Sequence, residues 1–335
     1  MSREMGAPFV SDFQDGIGNL AFLAKSVVEG FLTGLHRSPF HGFSVEFSEH
    51  RPYNAGEDTR HVDWRLYART DRLFTKKYSE ETNMRCHLLI DTSSSMFFPS
   101  AEETQGGFNK LRFAVGAAAS LSYLLYKQRD AISLNTFSNT VDFMSDCKSG
   151  AYHWHYIMER LSYWYDAARR PSAGQTTDLT AALHLLAEKM PKRSMVVLFS
   201  DMFDKSEADD RVDGDLPATS LAGNPVVASP ALTAALQHLR HRQHEVLLFH
   251  VQSRDKELRL QYDNRPYRFI DMETGEEVRL NPHDIREAYE ERRTIRQTEL
   301  RRLCERYAVD YIPAVIEDGF MPILQAYLAS RHVKR

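Results

Sequence analysis

Arg85-Cys86-His87-Leu88-Leu89-Ile90-Asp91-Thr92-Ser93-Ser94-Ser95 is the stretch on which the reading of this chain turns. Residues 85–90 form a short apolar strand that ends at a carboxylate. A loop of hydroxyls follows at once. In an open α/β sheet, ligands sit beyond the carboxyl ends of the strands, where such a loop falls. Alternate residues of a tight loop can turn their oxygens into one pocket, so Asp91, Ser93 and Ser95 face inward while Thr92 and Ser94 face away.

Outward from this stretch, strand and helix signals alternate. Lys110–Lys127 has a continuous apolar face and reads as a helix, Ala131–Phe137 as a strand, and Val141–Met144 as a strand beside it. Residues 152–164 and Leu179–Lys189 read as helices. Met195–Ser200 is fully apolar, the pattern of a strand buried on both faces of a parallel sheet. Pro230–His241 is a helix, 245–251 a second buried strand, 284–306 a long charged helix, 309–313 the last strand and 320–330 the last helix. The alternation predicts an α/β fold with a doubly wound, mainly parallel sheet and helices on both faces. Two segments interrupt it. Residues 205–229 are acidic, then rich in Pro, Gly and Ala, and read as a loop. Residues 258–280 read as a β-hairpin insert, spanning about 256–283 with its flanks, in which Gly275 takes positive φ. Ahead of the sheet, Ile17–Leu35 repeats Leu20, Leu23, Val27, Phe31 and Leu35 at helical spacing within an N-terminal helical region, residues 1–37. Residues 38–77 are rich in Arg, His, Asp and aromatics with little periodicity. They read as a separate small unit of loops and short strands, residues 38–83.

Composition narrows the function classes. With 42% hydrophobic and 26% charged residues in 335, the chain can bury a large core. A formal net charge of −4 argues against a general nucleic-acid binder, although residues 36–77 are locally basic. Cys86, Cys147 and Cys304 are far apart and odd in number, with no zinc spacing or disulfide framework, which suits a reducing compartment. No signal peptide is evident at the N-terminus, and the most apolar stretch, 113–126, falls short of the roughly 20 residues that a membrane span needs. The expectation is a soluble, cytoplasmic protein without a membrane span.

Two further loops supply oxygen donors matching those after residue 90. Gly174-Gln175-Thr176-Thr177-Asp178-Leu179 is a turn opening a helix, and Asp201 directly follows the buried run Met195–Ser200. Carboxylates and hydroxyls are hard donors suited to magnesium. Asp-x-Ser-x-Ser, then Thr177 before Asp-Leu, then Ser-Asp after a strand resembles the metal-ion-dependent adhesion site of von Willebrand factor A domains. That resemblance covers residues 84–335. It implies a Mg2+ site at Asp91, Ser93, Ser95, Thr177 and Asp201, with Mn2+ or Ca2+ as alternatives, on loops at the protein surface. Ser93 and Ser95 would bind directly, and Asp91 and Asp201 largely through water. The metal's open position would take a Glu or Asp of a protein partner.

Arg51-x-Tyr53-x-x-Gly56-Glu57-Asp58-x-Arg60-x-x-Asp63-Trp64-x-x-x-Ala68-Arg69 is similar to the signature of the bacterial family called domain of unknown function 58. Ala55 and Glu57 stand where Pro and Asp are more usual. Asp271-x-Glu273-Thr274-Gly275-Glu276 resembles that family's insert. The resemblance implies a MoxR-type AAA+ ATPase, or a client of one, as the partner in maturing other proteins. Arg51, Arg60 and Arg69 are either ion-pairing residues of a packed subdomain or a docking face for an acidic partner. The expected function is therefore a metal-dependent interaction adaptor, not an enzyme. The rivals are a metal-dependent hydrolase of phosphate esters and a nucleic-acid module built on residues 36–77. Against the hydrolase, there is no Gly-x-Ser-x-Gly elbow, no Walker-type phosphate loop and no His-Glu-x-x-His. His153 and His155, two apart on a predicted helix, point different ways and make a poor metal pair.

Overall fold

The computed structural model describes residues 17–35, 50–52, 64–76, 84–100, 104, 107–168, 178–202, 229–273 and 275–333. They fall into two compact units, Leu32–Asn83 and the remainder, Met1–Phe31 with Met84–Arg335.

The larger unit is built on six strands: β3 (Arg85–Asp91), β4 (Ala131–Phe137), β5 (Val141–Met144), β6 (Met195–Ser200), β7 (Glu245–Gln252) and β10 (Val309–Val315). Their order across the sheet is β10-β7-β6-β3-β4-β5. All neighbours are parallel except β5, which returns antiparallel along β4. The crossovers are helical, α3 (Lys110–Lys127), α4 (Ala151–Ala167), α5 (Leu179–Lys189), α6 (Pro230–His241) and α7 (Pro282–Arg306), and α8 (Met321–Val333) follows the last strand. This is a mixed, mostly parallel sheet flanked by helices, as the alternation predicts.

The apolar runs are explained by burial on both faces. Leu89, Val196, Leu198, Val246 and Leu248 pack against Leu183, Leu186, Leu236 and Leu239 of α5 and α6, and against Leu303 of α7. Side chains alternate along a strand, so Leu88, Ile90, Val197 and Leu247 point to the opposite face, and all four are fully buried. There α3 lies along the sheet with α4 and α8 beside it. Sixteen of the eighteen residues of α3 are buried, which explains a helix apolar nearly all round. At roughly 25 cal/mol per Å2 of apolar surface, this two-sided burial is the main stabilising contribution of the fold.

The insert is a hairpin of β8 (Tyr267–Ile270) and β9 (Glu277–Leu280), antiparallel, with Tyr267 opposite Leu280. Gly275 sits at φ +75 in its turn, as expected, and donates its N–H to the Asp271 carbonyl. Ahead of the sheet, α1 (Ile17–Leu35) buries Leu20, Leu23, Ala24, Val28 and Phe31, one stripe of the helix. Residues 203–228, which contain most of the expected acidic loop, lie outside the described residues.

In the smaller unit, β1 (His50–Pro52) pairs antiparallel with β2 (Phe74–Lys76). Between them runs α2 (Trp64–Thr70), a helix that the reading as loops and short strands did not anticipate. Seven residues make only two turns, too few for an apolar repeat to show. The helix closes at Asp71, whose N–H donates to the Tyr67 carbonyl at 2.9 Å while its backbone takes φ 53, a conformation Asp tolerates better than most.

Candidate functional site

The parallel register brings the site together. Ile90 lies opposite Phe199 in the β3–β6 ladder, so both central strands run out at the same edge. Asp91 therefore sits beside Ser200, and Asp201 follows. Asp91 Oδ2 accepts the Ser200 hydroxyl at 2.7 Å. Its Oδ1 accepts the Ser93 N–H at 3.0 Å. The Ser93 and Ser95 hydroxyl oxygens are 3.1 Å apart. Thr92 turns the other way: its N–H donates to the Phe137 carbonyl, and its hydroxyl lies 2.9 Å from that oxygen and 3.2 Å from Asp142.

Asp201 is held by a cation. Lys110, the first residue of α3, donates from Nζ to Asp201 Oδ2 at 2.7 Å and to Glu257 Oε1 at 2.6 Å. Glu257 belongs to the turn Arg254–Leu258 after β7, and its other oxygen accepts the Ser253 N–H at 2.7 Å. The Asp201 carbonyl accepts a hydrogen bond from His250 Nε2 at 3.0 Å, while His250 Nδ1 accepts from the Tyr311 hydroxyl at 2.6 Å. The carbonyl, which can only accept, requires the proton on Nε2, and the neutral imidazole with that proton satisfies both partners. Burial favours that form and pushes the His250 pKa down to about 4.

The electrostatics follow from depth. Asp91, Thr92, Ser93 and Ser94 are fully buried, Asp201 is buried and Ser95 is half-buried. This corrects the expectation that the site lies on surface loops: the start of α3 and the 254–258 turn close over it through Lys110. Burial, with the Asp201 charge next to it, raises the Asp91 carboxyl to about 7 against the hydrogen bonds from Ser200 and Ser93. Burial alone would lower the Lys110 pKa, but Asp201 and Glu257 outweigh it and hold the ammonium charged. Two carboxylates, Asp201 and Glu257, thus share one ammonium, and Asp91 lies beside them.

Of the residues singled out in the sequence, Asp91, Ser93, Ser95 and Asp201 meet at this edge. Thr177 lies outside the described residues. Its neighbour Asp178 donates its N–H to the Ser138 carbonyl, just past β4, and caps α5 through Ala181 N–H at 2.9 Å. Arg51 is in β1, Arg60 lies outside the described residues, and Arg69 is exposed in the last turn of α2. Lys110, Ser200, His250 and Glu257 were not found from the sequence. The available signal was a lysine opening a helix otherwise apolar nearly all round.

Among the described residues, no three His, Cys, Asp or Glu side chains gather as a metal cluster. A hydroxyl-rich donor set needs no such cluster. Two ligands on adjacent corners of an octahedron with bonds of about 2.1 Å stand about 3.0 Å apart, close to the Ser93–Ser95 spacing. Beside them, Asp91 is a buried carboxylate that meets no cation among the described residues. The donor set fits a hard divalent ion.

Fold and edge together define a doubly wound α/β protein with an oxygen-rich, largely buried site at the carboxyl ends of its central strands. The chain matches the family described as "Protein of unknown function DUF58" over residues 49–299, and it belongs to that family. It is similar to uncharacterized proteins of Mycobacterium bovis and Mycobacterium tuberculosis, each 26% identical over 182 residues, 54% of this chain and 55% of the relative. The chain thus spans about half the length of the curated relatives it matches. Among solved structures, the crystal structure of conserved hypothetical protein BatB from Bacteroides thetaiotaomicron covers 75% of this chain and 100% of its own. Its TM-score is 0.42, with 13% identity. The architecture given above rests on the sheet itself and not on that likeness. Among the described residues, no helix is long and apolar enough to cross a membrane.

Proposed function

We propose that the chain is a protein-interaction module of the von Willebrand factor A type, which recognises a carboxylate on a partner protein through one divalent cation. The observation that carries this reading is Asp91, buried without a cation among the described residues and flanked by two hydroxyls at the spacing of an octahedral edge. Ser93 and Ser95 would supply direct oxygens. Asp91 and Asp201 would act at one remove, with Thr177 as the remaining donor from the loop before α5. Bound there, Mg2+ supplies a positive charge with an open position, which a hard carboxylate oxygen fills best.

The chain's own part is orientation. The Ser93 N–H and the Ser200 hydroxyl fix both oxygens of Asp91, so the loop needs no rearrangement to present its donors. The role is binding and not turnover. The family resemblance carried by residues 51–69 favours a MoxR-type AAA+ ATPase, or a client of one, as the partner.

The test is calorimetric titration of the purified chain with Mg2+, followed by binding of a purified MoxR-type ATPase in Mg2+ and in chelator. One ion per chain is expected, with affinity lost by at least about tenfold in Ser93→Ala, as for removal of an oxygen ligand worth roughly 1.4 kcal/mol or more. Equal partner affinity with metal and with chelator would sink the reading.

A further inference from the structure

Lys110 has no task in that interaction. Its side chain is 1% exposed, and its ammonium lies between Asp201 Oδ2 at 2.7 Å and Glu257 Oε1 at 2.6 Å, with the Phe98 ring 5.8 Å away. A lysine normally keeps its ammonium in water while its stem packs. Here the carboxylates hold the charge inside.

Both residues have an anchor besides the lysine, Glu257 at its carboxylate and Asp201 at its backbone. The second oxygen of Glu257 accepts the Ser253 N–H, and the Asp201 backbone is held by His250. The Ser253 hydroxyl and the Arg254 N–H in turn donate to Glu317, at 2.8 and 2.9 Å, which ties the 254–258 turn to the end of β10. The place between Asp201 and Glu257 is therefore a formed cation site. Its contact distances lie close to the 2.3–2.6 Å that calcium keeps to oxygen. Next to it, Asp91 carries a third carboxylate.

We propose that Lys110 is a built-in cation that takes the place of a second metal ion and limits this edge to one divalent ion. On this proposal Asp201 belongs to both places, its Oδ2 facing the ammonium and its charge felt by Asp91. The identity of that first ion rests on the interaction reading. The filling of the second place by Lys110 does not.

The experiment counts Mn2+ ions bound to the full chain by electron paramagnetic resonance, in the wild type, Lys110→Ser, Lys110→Arg and the Lys110→Ser/Glu257→Gln double variant. Lys110→Ser is expected to bind one more Mn2+ than the wild type. Lys110→Arg keeps the charge and the wild-type number, and adding Glu257→Gln abolishes the extra ion. A wild type with no ion and a Lys110→Ser variant with one would refute the interaction reading and support the built-in cation. The same number or fewer ions in Lys110→Ser as in the wild type overturns the inference. If Lys110→Ser is unfolded in chelator, refolding in Mn2+ followed by circular dichroism decides: recovery supports the inference and its absence overturns it.

Discussion

Replacing Asp91 by Asn should stabilise the metal-free protein at alkaline pH, although it removes a residue from the candidate centre. Burial and the neighbouring Asp201 charge lift the Asp91 carboxyl from 3.8 to about 7. About three units at 1.36 kcal/mol each amount to about 4 kcal/mol of preference for the protonated form in the fold. A folded pKa above the unfolded one gives stability that is complete below pH 3.8 and is lost as pH rises through 7. At pH 8 without metal, the fold carries the whole cost. Asparagine carries none of it, and the Ser200 hydrogen bond at 2.7 Å needs no separate subtraction, because it already opposes burial in setting the Asp91 carboxyl at about 7. The expectation for Asp91→Asn is a gain of up to about 4 kcal/mol at pH 8 that vanishes near pH 4. Urea unfolding in chelator at pH 4, 6 and 8 measures it. A variant less stable than the wild type at pH 8, or a difference that does not change with pH, would refute the argument.

Asn109 caps α3 by accepting the Arg112 N–H at 2.8 Å and donates its amide to the Ala168 carbonyl at 2.6 Å. Asn109→Ala should cost about 1–3 kcal/mol in thermal or urea unfolding, and a loss under about 0.5 would contradict the capping role. The thiols should be inert in the native protein. Burial pushes Cys147 up to about 11 and Cys304 up to about 12, and raises Cys86 as well. Two units at Cys147 mean about a hundredfold less thiolate, so labelling by a disulfide reagent at pH 7.5 should run about a hundredfold slower than in urea, and equal rates would overturn this.

The sheet was legible because β3, β6 and β7 are buried on both faces and so appear as largely apolar runs with a polar residue at each exit. The Asp91, Ser93 and Ser95 cluster was legible for a related reason: its members are local. Lys110 was not. Asn109-Lys110-Leu111-Arg112 looks like an ordinary polar helix start, and the partners that draw the ammonium inward lie 91 and 147 residues away. The depth of the site was hidden for the same cause. Serines after a strand look like a surface loop until the start of α3 and the 254–258 turn are placed over them. In the smaller unit, α2 escaped because two turns carry too little periodicity.

These long separations have a consequence for how the molecule comes into being. The Asp91–Ser200 bond spans 109 residues and the Lys110–Glu257 pair spans 147. Contacts so remote in the chain are slow to form, because the intervening polypeptide must first surrender its freedom. A nascent chain cannot make the Asp91–Ser200 bond or the Lys110–Glu257 pair until residues 200 and 257 have left the ribosome, well after the Asp-x-Ser-x-Ser loop itself has been made. Under the proposed function, partner recognition at this edge would be withheld from incomplete chains. A chain truncated before β7 should keep the motif yet lack the Glu257 carboxylate that holds Lys110 over it.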